Sequence, residues 1–386
     1  MSRDKPASIL PALLLLLSAG IYAFLFLHAE QQWEVAVLAI LGVAAILSAG
    51  RLGISGQVER SWRCSPVLLG WLAMIVAAAL IYLLREDHFS LLMVATLLLY
   101  AMVCLGLNVQ FGYAGVVNFA GAAFFGIGGY TAAMLAGHTA TPHLLILAIA
   151  GLLSGLIGSL LVLPLLRTRG HYAALITIAF AILFRTFLEV NDLLGGPQGL
   201  KVPGISLLGW NFNDNIEIDD ETQFSFYLAY ALFSLVLFAL AFLLVRRLER
   251  SWLGLSLDAV RIDETAASVF GFNVARWKIL AFSLGNVLAG VAGAVYAMMT
   301  GFVAPASFTI AESLIFVSII ILGGVGNPIG ILPAAALVVI LPEKLQFIQE
   351  YRYLLFSAFV ILILLFKPGG LLPRPLRRYF AHWGKA

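Results

Sequence analysis

Two charged side chains interrupt an otherwise apolar run in AFAILFRTFLEVND, namely Arg185 and Glu189. Four residues apart, they share one face of a helix. A lone charge at the centre of a bilayer costs about 2.5–3.5 kcal/mol on insertion scales, so the pair is read as turned away from lipid. Two roles fit it: a structural ion pair near a helix end, or a contact to a solute. Glu312 opens another apolar run, where a helix macrodipole favours an acid, and is read first as a cap. Asn118 is the only amide side chain between 111 and 130. Asn286 stands eight residues into an apolar run and is read as an interhelical hydrogen-bonding group. Other chemistry is missing. No GxxxxGK[ST] phosphate loop occurs, so ATP hydrolysis by that route is not expected. There is no HExxH, no Cys/His cluster of metal spacing, and no placeable Ser/His/Asp set, so neither metal ligands nor catalytic residues are assigned.

These few polar groups need a scaffold, and composition says which kind. The 386 residues are 62% hydrophobic and 11% charged, against about 45–50% and about 25% in a soluble domain. The expected fold class is an all-α polytopic membrane protein. A spanning helix takes roughly 20 apolar residues. Runs at 9–27, 33–49, 67–84, 90–107, 144–166, 172–190, 224–245, 278–300, 329–348 and 353–366 give ten spans. Segments 116–136 and 312–325 are apolar but Gly-rich or short, and are expected to be broken helices or re-entrant pieces, for up to twelve crossings. The first run is too long for the core of a signal peptide and reads as a retained span. Cys64 and Cys104 fall on a loop and inside a span, so no disulfide framework is expected. Twelve crossings from a cytoplasmic N-terminus put most of the 23 Lys and Arg in inside loops, as the positive-inside rule requires. Both termini are then cytoplasmic, 191–223 is the longest outside loop and 246–277 the longest inside loop.

The stretch GLNVQFGYAGVVNFAGAAFFGIGGY, from Gly106 to Tyr130, poses a puzzle. Glycine in a helix costs about 1 kcal/mol against alanine, so repeated glycines need a use. Small faces let helix backbones approach closely. Broken helices expose backbone groups, tolerated at membrane depth only when buried in protein or lining a cavity. Tyr113, Asn118, Gly121, Phe124 and Gly126 are expected to line or brace a route through the membrane, the alternative being helix packing alone. A second small face comprises Gly285, Ala289, Gly290, Gly293 and Ala297.

The inside loop reads GLSLDAVRIDETAASVFGFNVARW over 254–277. Val260, Ile262, Ala266, Val269 and Phe270 are expected near one face of a helix over 258–271, with Arg261, Asp263 and Glu264 mostly turned away and Gly271 as C-cap. Such a helix suits docking into a partner's cleft, or lies on the membrane surface as a connector.

ETAASVFG resembles the EAA-x3-G loop by which permease subunits of ABC importers engage their ATPases, with Glu264 one residue earlier than the strict spacing. The Gly-rich stretch, LLGGPQGLKVP, GFVAPASFTIAESLIFVSIIILGGVGNPIG and FKPGGLL resemble, in order, segments of LivM-like permease subunits that import branched-chain amino acids. The likeness covers roughly 90–375. Val116, Asn118 and Gly121 stand where many members carry Gln, Ser and His, and Pro328 and Pro333 enter the late turn. The resemblance implies a single permease domain over 1–386, with extra N-terminal spans in 1–85, a core at 90–366 and a cytoplasmic tail at 367–386. It implies a multi-pass protein of the bacterial inner membrane that forms half of a translocation pathway for branched-chain or other neutral amino acids. The implied partners are a homologous second permease subunit, two ABC ATPase subunits, an extracytoplasmic solute-binding protein and the lipid membrane, with no nucleic acid. This chain would bind no cofactor, and ATP and Mg would belong to the ATPases. Uptake of urea or short amides is the alternative within the family, and an ion-driven secondary transporter the alternative outside it.

Overall fold

The computed structural model describes residues 9–374 apart from 30, 52–60, 62–64, 140, 167, 169–170, 208, 214–215, 220–221, 345–350, 352–353, 355–356, 359–360, 362–364 and 366–368. The chain is a helical polytopic membrane protein. Its helices include α1 (Leu10–His28), α2 (Gln32–Arg51), α3 (Pro66–Leu83), α4 (His88–Asn108), α5 (Gly121–His138), α6 (His143–Leu166), α7 (His171–Val190), α8 (Tyr227–Arg250), α9 (Trp252–Ile262), α10 (Glu264–Val269), α11 (Val274–Thr300), α12 (Ile310–Gly323) and α13 (Ile331–Lys344). Among the described residues, seven helical stretches are long and apolar enough to cross a membrane, and Gln32–Gly42 and Val67–Leu83 are shorter apolar helices. Every apolar run expected from the sequence coincides with a helix except 353–366, which lies largely outside the described residues, as do Cys64 and most of the tail.

The described residues form two compact units. One draws on Met1–Thr96, Phe212–Ala239 and Val339–Glu350. Within it α1 packs on α3 and Ser90 Oγ donates to the Leu27 carbonyl at 3.0 Å. The Arg85 guanidinium lies over the rings of Tyr82 and Phe224, 5.0 and 4.8 Å from their centroids, and the hairpin of β4 (Ile216–Asp219) and β5 (Thr222–Phe224) precedes α8.

The other unit draws on Leu97–Asn211, Leu240–Val338 and Tyr351–Ala386. Its centre is α11, packed against α5 and α6. Small residues set these distances. A Cβ built on Gly128 of α5 would collide with the Gly290 carbonyl, and one on Gly293 with the Phe125 carbonyl. The expected small face of α11 is therefore a backbone-to-backbone contact. Asn273 caps the start of α11 by accepting from Arg276 N at 3.1 Å, and Gly301 ends it in the left-handed conformation. Beyond Gly301, β6 (Phe302–Val303) pairs antiparallel with β1 (Leu200–Lys201), which ties the 191–211 loop to the α11–α12 connection. A short hairpin of β2 (Ser206–Leu207) and β3 (Trp210–Asn211) completes that loop.

Candidate functional site

The helix break that the glycines suggest lies between α4 and α5. α4 ends in a π-helical turn, Val109–Tyr113, and the chain then runs without helix until α5 starts at Gly121. Such a break leaves backbone groups without helical partners, and in a membrane interior they need protein partners. Here side chains supply them. Asn118 Oδ1 accepts from Ala120 N at 2.8 Å, Thr177 Oγ1 of α7 from Phe119 N at 3.1 Å, and Ser313 Oγ of α12 from Ala122 N at 3.0 Å. On the α4 side, Asn108 Oδ1 accepts from Gly326 N at 2.8 Å.

Three amides close the centre of the break. Gln110 Nε2 donates to the Phe282 carbonyl and to Asn286 Oδ1, both at 3.0 Å. Asn118 Nδ2 donates to Gln110 Oε1 at 2.7 Å and to Asn286 Oδ1 at 3.3 Å. All three residues are fully buried. Asn286 thus has the interhelical role its sequence setting suggests. Its Nδ2 makes no hydrogen bond and points at Gly158 of α6, where a Cβ would strike it. Gln110 was not singled out by sequence, because its partners lie up to 176 residues away.

Of the expected route residues, Tyr113, Asn118 and Phe124 are fully buried, and Gly121 and Gly126 are buried too. Phe124 stacks on Phe180 and meets Phe282 edge-on. The Cβ positions of Gly121 and Gly126 are filled by Leu107 and Phe316, and by Phe308 and Phe184. Within this chain the five residues form packed interior around the break.

The 254–277 segment corrects the expectation of one continuous helix. Asp263 is extended, with φ −154° and ψ 108°, and separates α9 from α10. Its carboxylate caps α10, accepting from Thr265 N at 2.8 Å and Ala266 N at 3.0 Å. The break divides the expected apolar face. Val260 is fully buried, whereas Ile262, Val269 and Phe270 are 78%, 81% and 83% exposed, and Ala266 is exposed. Gly271, at φ +85°, does close α10: Gly271 N reaches the Ser268 carbonyl and Phe272 N the Ala267 carbonyl, the paired bonds of a Schellman end. Glu264 Oε1 accepts from Lys278 Nζ at 2.6 Å, so α10 is tied to α11.

α9 is also anchored, by a residue that sequence reasoning did not single out. Arg374 makes a bidentate pair with Asp258 of α9, Nη1 to Oδ1 at 2.6 Å and Nη2 to Oδ2 at 2.7 Å. The same guanidinium donates to the Gly112 carbonyl at 3.3 Å and lies over the Tyr113 ring, 4.7 Å from its centroid. A cation beside the last carbonyls of α4 and its π turn has the sign that a helix C-terminus favours. Burial works against the charge of Arg374, but the hydrogen bonds and charge of Asp258 outweigh it and hold its pKa above the ordinary arginine value. The stabilisation is therefore fully present below that ordinary value and is lost only as pH rises through the raised one. Leu371 N donates to the Leu322 carbonyl at 2.7 Å and Asn327 Nδ2 to the Leu372 carbonyl at 3.0 Å, so the segment before Arg374 is fixed to the end of α12.

Arg185 and Glu189 pair as their spacing requires, Nε to Oε1 at 2.8 Å. They border a cavity of about 330 Å³ facing Phe308 and the first turn of α12. Glu312 sits in that turn, but the N-cap is Thr309, whose Oγ1 accepts from Glu312 N at 3.3 Å; Glu312 is the acid of the first turn rather than the cap.

Residues 89–365 match the family model described as "Branched-chain amino acid transport system / permease component". The chain is 35% identical over 294 residues to "High-affinity branched-chain amino acid transport system permease protein LivM" of Escherichia coli strain K12, across 72% of this chain and 69% of that protein. It is 27% identical over 332 residues to "Probable branched-chain amino acid transport permease protein LivM" of Methanocaldococcus jannaschii, across 71% of this chain and 90% of the relative. It is 25% identical over 299 residues to the LivH permease protein of Salmonella typhimurium strain LT2, across 72% and 92%. No solved structure gives a significant match. With most of its length inside the family model, this chain belongs to the permease components of branched-chain amino acid transport systems.

Proposed function

We propose that this chain is the LivM-type permease subunit of an ATP-driven importer, carrying branched-chain or other neutral amino acids across the bacterial inner membrane. It supplies half of the pathway and no catalytic residues. ATP and Mg belong to two ATPase subunits, a second homologous permease completes the pathway, and a solute-binding protein delivers the substrate outside. The relatives' names support the substrate class. One observation carries the coupling role. Val269 and Phe270 stand at the tip of a short helix, more than four-fifths exposed, while α9 and α10 beneath them are pinned by Asp258–Arg374 and Glu264–Lys278. Exposed apolar side chains on an anchored tip suit a cleft on a partner. The Asp258–Arg374 pair also requires the 246–277 loop and the start of the tail to share a side of the membrane, which supports a cytoplasmic C-terminus. The N-terminus is placed on that side by the charge bias alone.

The test is substitution at the tip. Burying one large apolar side chain is worth about 1.5–3 kcal/mol. Phe270→Asp should therefore release the ATPases from the detergent-purified complex, or uncouple hydrolysis from uptake, and leave the chain's own melting temperature unchanged. Full ATPase retention and normal uptake in Phe270→Asp and Val269→Asp would make this segment a surface connector.

A further inference from the structure

The Arg185–Glu189 pair uses only part of its bonding capacity. Arg185 Nε and Glu189 Oε1 face each other, but among the described residues the two Nη groups and Glu189 Oε2 have no protein partner. The side chains are 44% and 37% exposed within an apolar helix long enough to span a membrane. Facing lipid, such charges are costly. What they face instead is a cavity of about 330 Å³, whose other walls include Ile182, Phe308, Thr309 and Ala311. That volume lies at the small end of the roughly 300–1,000 Å³ of ligand pockets. Its lining thus combines the two charges with apolar side chains.

This combination matches one class of ligand. A free α-amino acid carries a carboxylate, an ammonium and a side chain on one carbon. The unused Nη groups suit the carboxylate as a planar two-donor fork. Glu189 Oε2 suits the ammonium, and Ile182 and Phe308 an aliphatic side chain. We propose that Arg185 and Glu189 form a zwitterion-recognising subsite for a neutral aliphatic α-amino acid, held here during its passage. The proposal rests on the amino-acid importer reading above and adds to it the residues that touch the solute.

The test uses the whole complex with its partners in proteoliposomes. Leucine bearing a photoreactive diazirine in its side chain is supplied through the binding protein and illuminated during ATP-driven uptake. Label is expected within 181–189 or 308–311 and should be displaced by excess leucine. Label found only elsewhere in the chain would overturn the proposal. Variants give the second arm. Arg185→Gln and Glu189→Gln should each lower leucine uptake at least tenfold, in complexes of unchanged melting temperature. The exchanged double variant, Arg185→Glu with Glu189→Arg, keeps an i,i+4 pair with the acid on the N-terminal side, the better orientation for a helix. Uptake should stay low in it, because the charges now face the zwitterion with the wrong order. Recovery of uptake, or of a lost complex, in the exchanged variant would make the pair purely structural. A wild-type complex without ATP-dependent leucine uptake would instead refute the importer reading itself.

Discussion

Asn118 shows what a single polar side chain does inside an apolar protein. Its oxygen closes the start of α5 and its nitrogen serves Gln110 and Asn286. Asn118→Leu would leave the Ala120 N–H and Gln110 Oε1 buried without these partners, at about 1–3 kcal/mol each. We expect a lowered melting temperature of the purified complex in differential scanning fluorimetry. Normal stability with blocked uptake would instead put Asn118 on the solute's path. Arg374 is a second such residue. Its pair with Asp258 is about 15% exposed, and removing one partner of a largely buried pair costs about 3–5 kcal/mol. Arg374→Ala should destabilise accordingly and free α9, seen as faster hydrogen exchange in 252–262. Unchanged exchange there would mean that the pair does not hold the helix. Neither network could be read from sequence. Gln110, Asn118 and Asn286 are separated by up to 176 residues, and Arg374 follows a proline in a tail whose sequence says only that it is basic.

At the scale of elements, the helices were legible because an apolar run of spanning length admits few other structures. Their ends were less so. The periodicity of 258–271 suits one helix, but Asp263 is also a strong N-cap residue directly before ETAASV, and that local signal prevailed. The glycines of α5 were legible as a set but not individually. Gly128 touches the Gly290 backbone, whereas the Cβ position of Gly137, in the same helix, meets nothing within 4 Å. Gly128→Ala should therefore destabilise by about 1–3 kcal/mol through overpacking. Gly137→Ala should stabilise by about 0.4–1 kcal/mol by restricting the unfolded chain. Paired denaturation curves check this, and equal effects at both positions would refute the close α5–α11 contact.

At the scale of the molecule, the reading is of a passage whose energy comes from elsewhere. The chain contains no phosphate loop, and its anchored tip exposes apolar side chains. Family and helical architecture were both accessible from the sequence, the family through ordered motifs and the architecture through composition. The proposed subsite was only half legible: the spacing of Arg185 and Glu189 announced a pair, but only folding brought Phe308 and the start of α12 against it. The most direct measurement is leucine uptake into proteoliposomes, comparing this chain alone with this chain assembled with a second permease, ATPases and binding protein. The account predicts no uphill uptake by the chain alone under a proton or sodium gradient, and uptake by the full assembly that begins with ATP and stops when ATP is replaced by a non-hydrolysable analogue. Robust gradient-driven accumulation by the chain alone would contradict it.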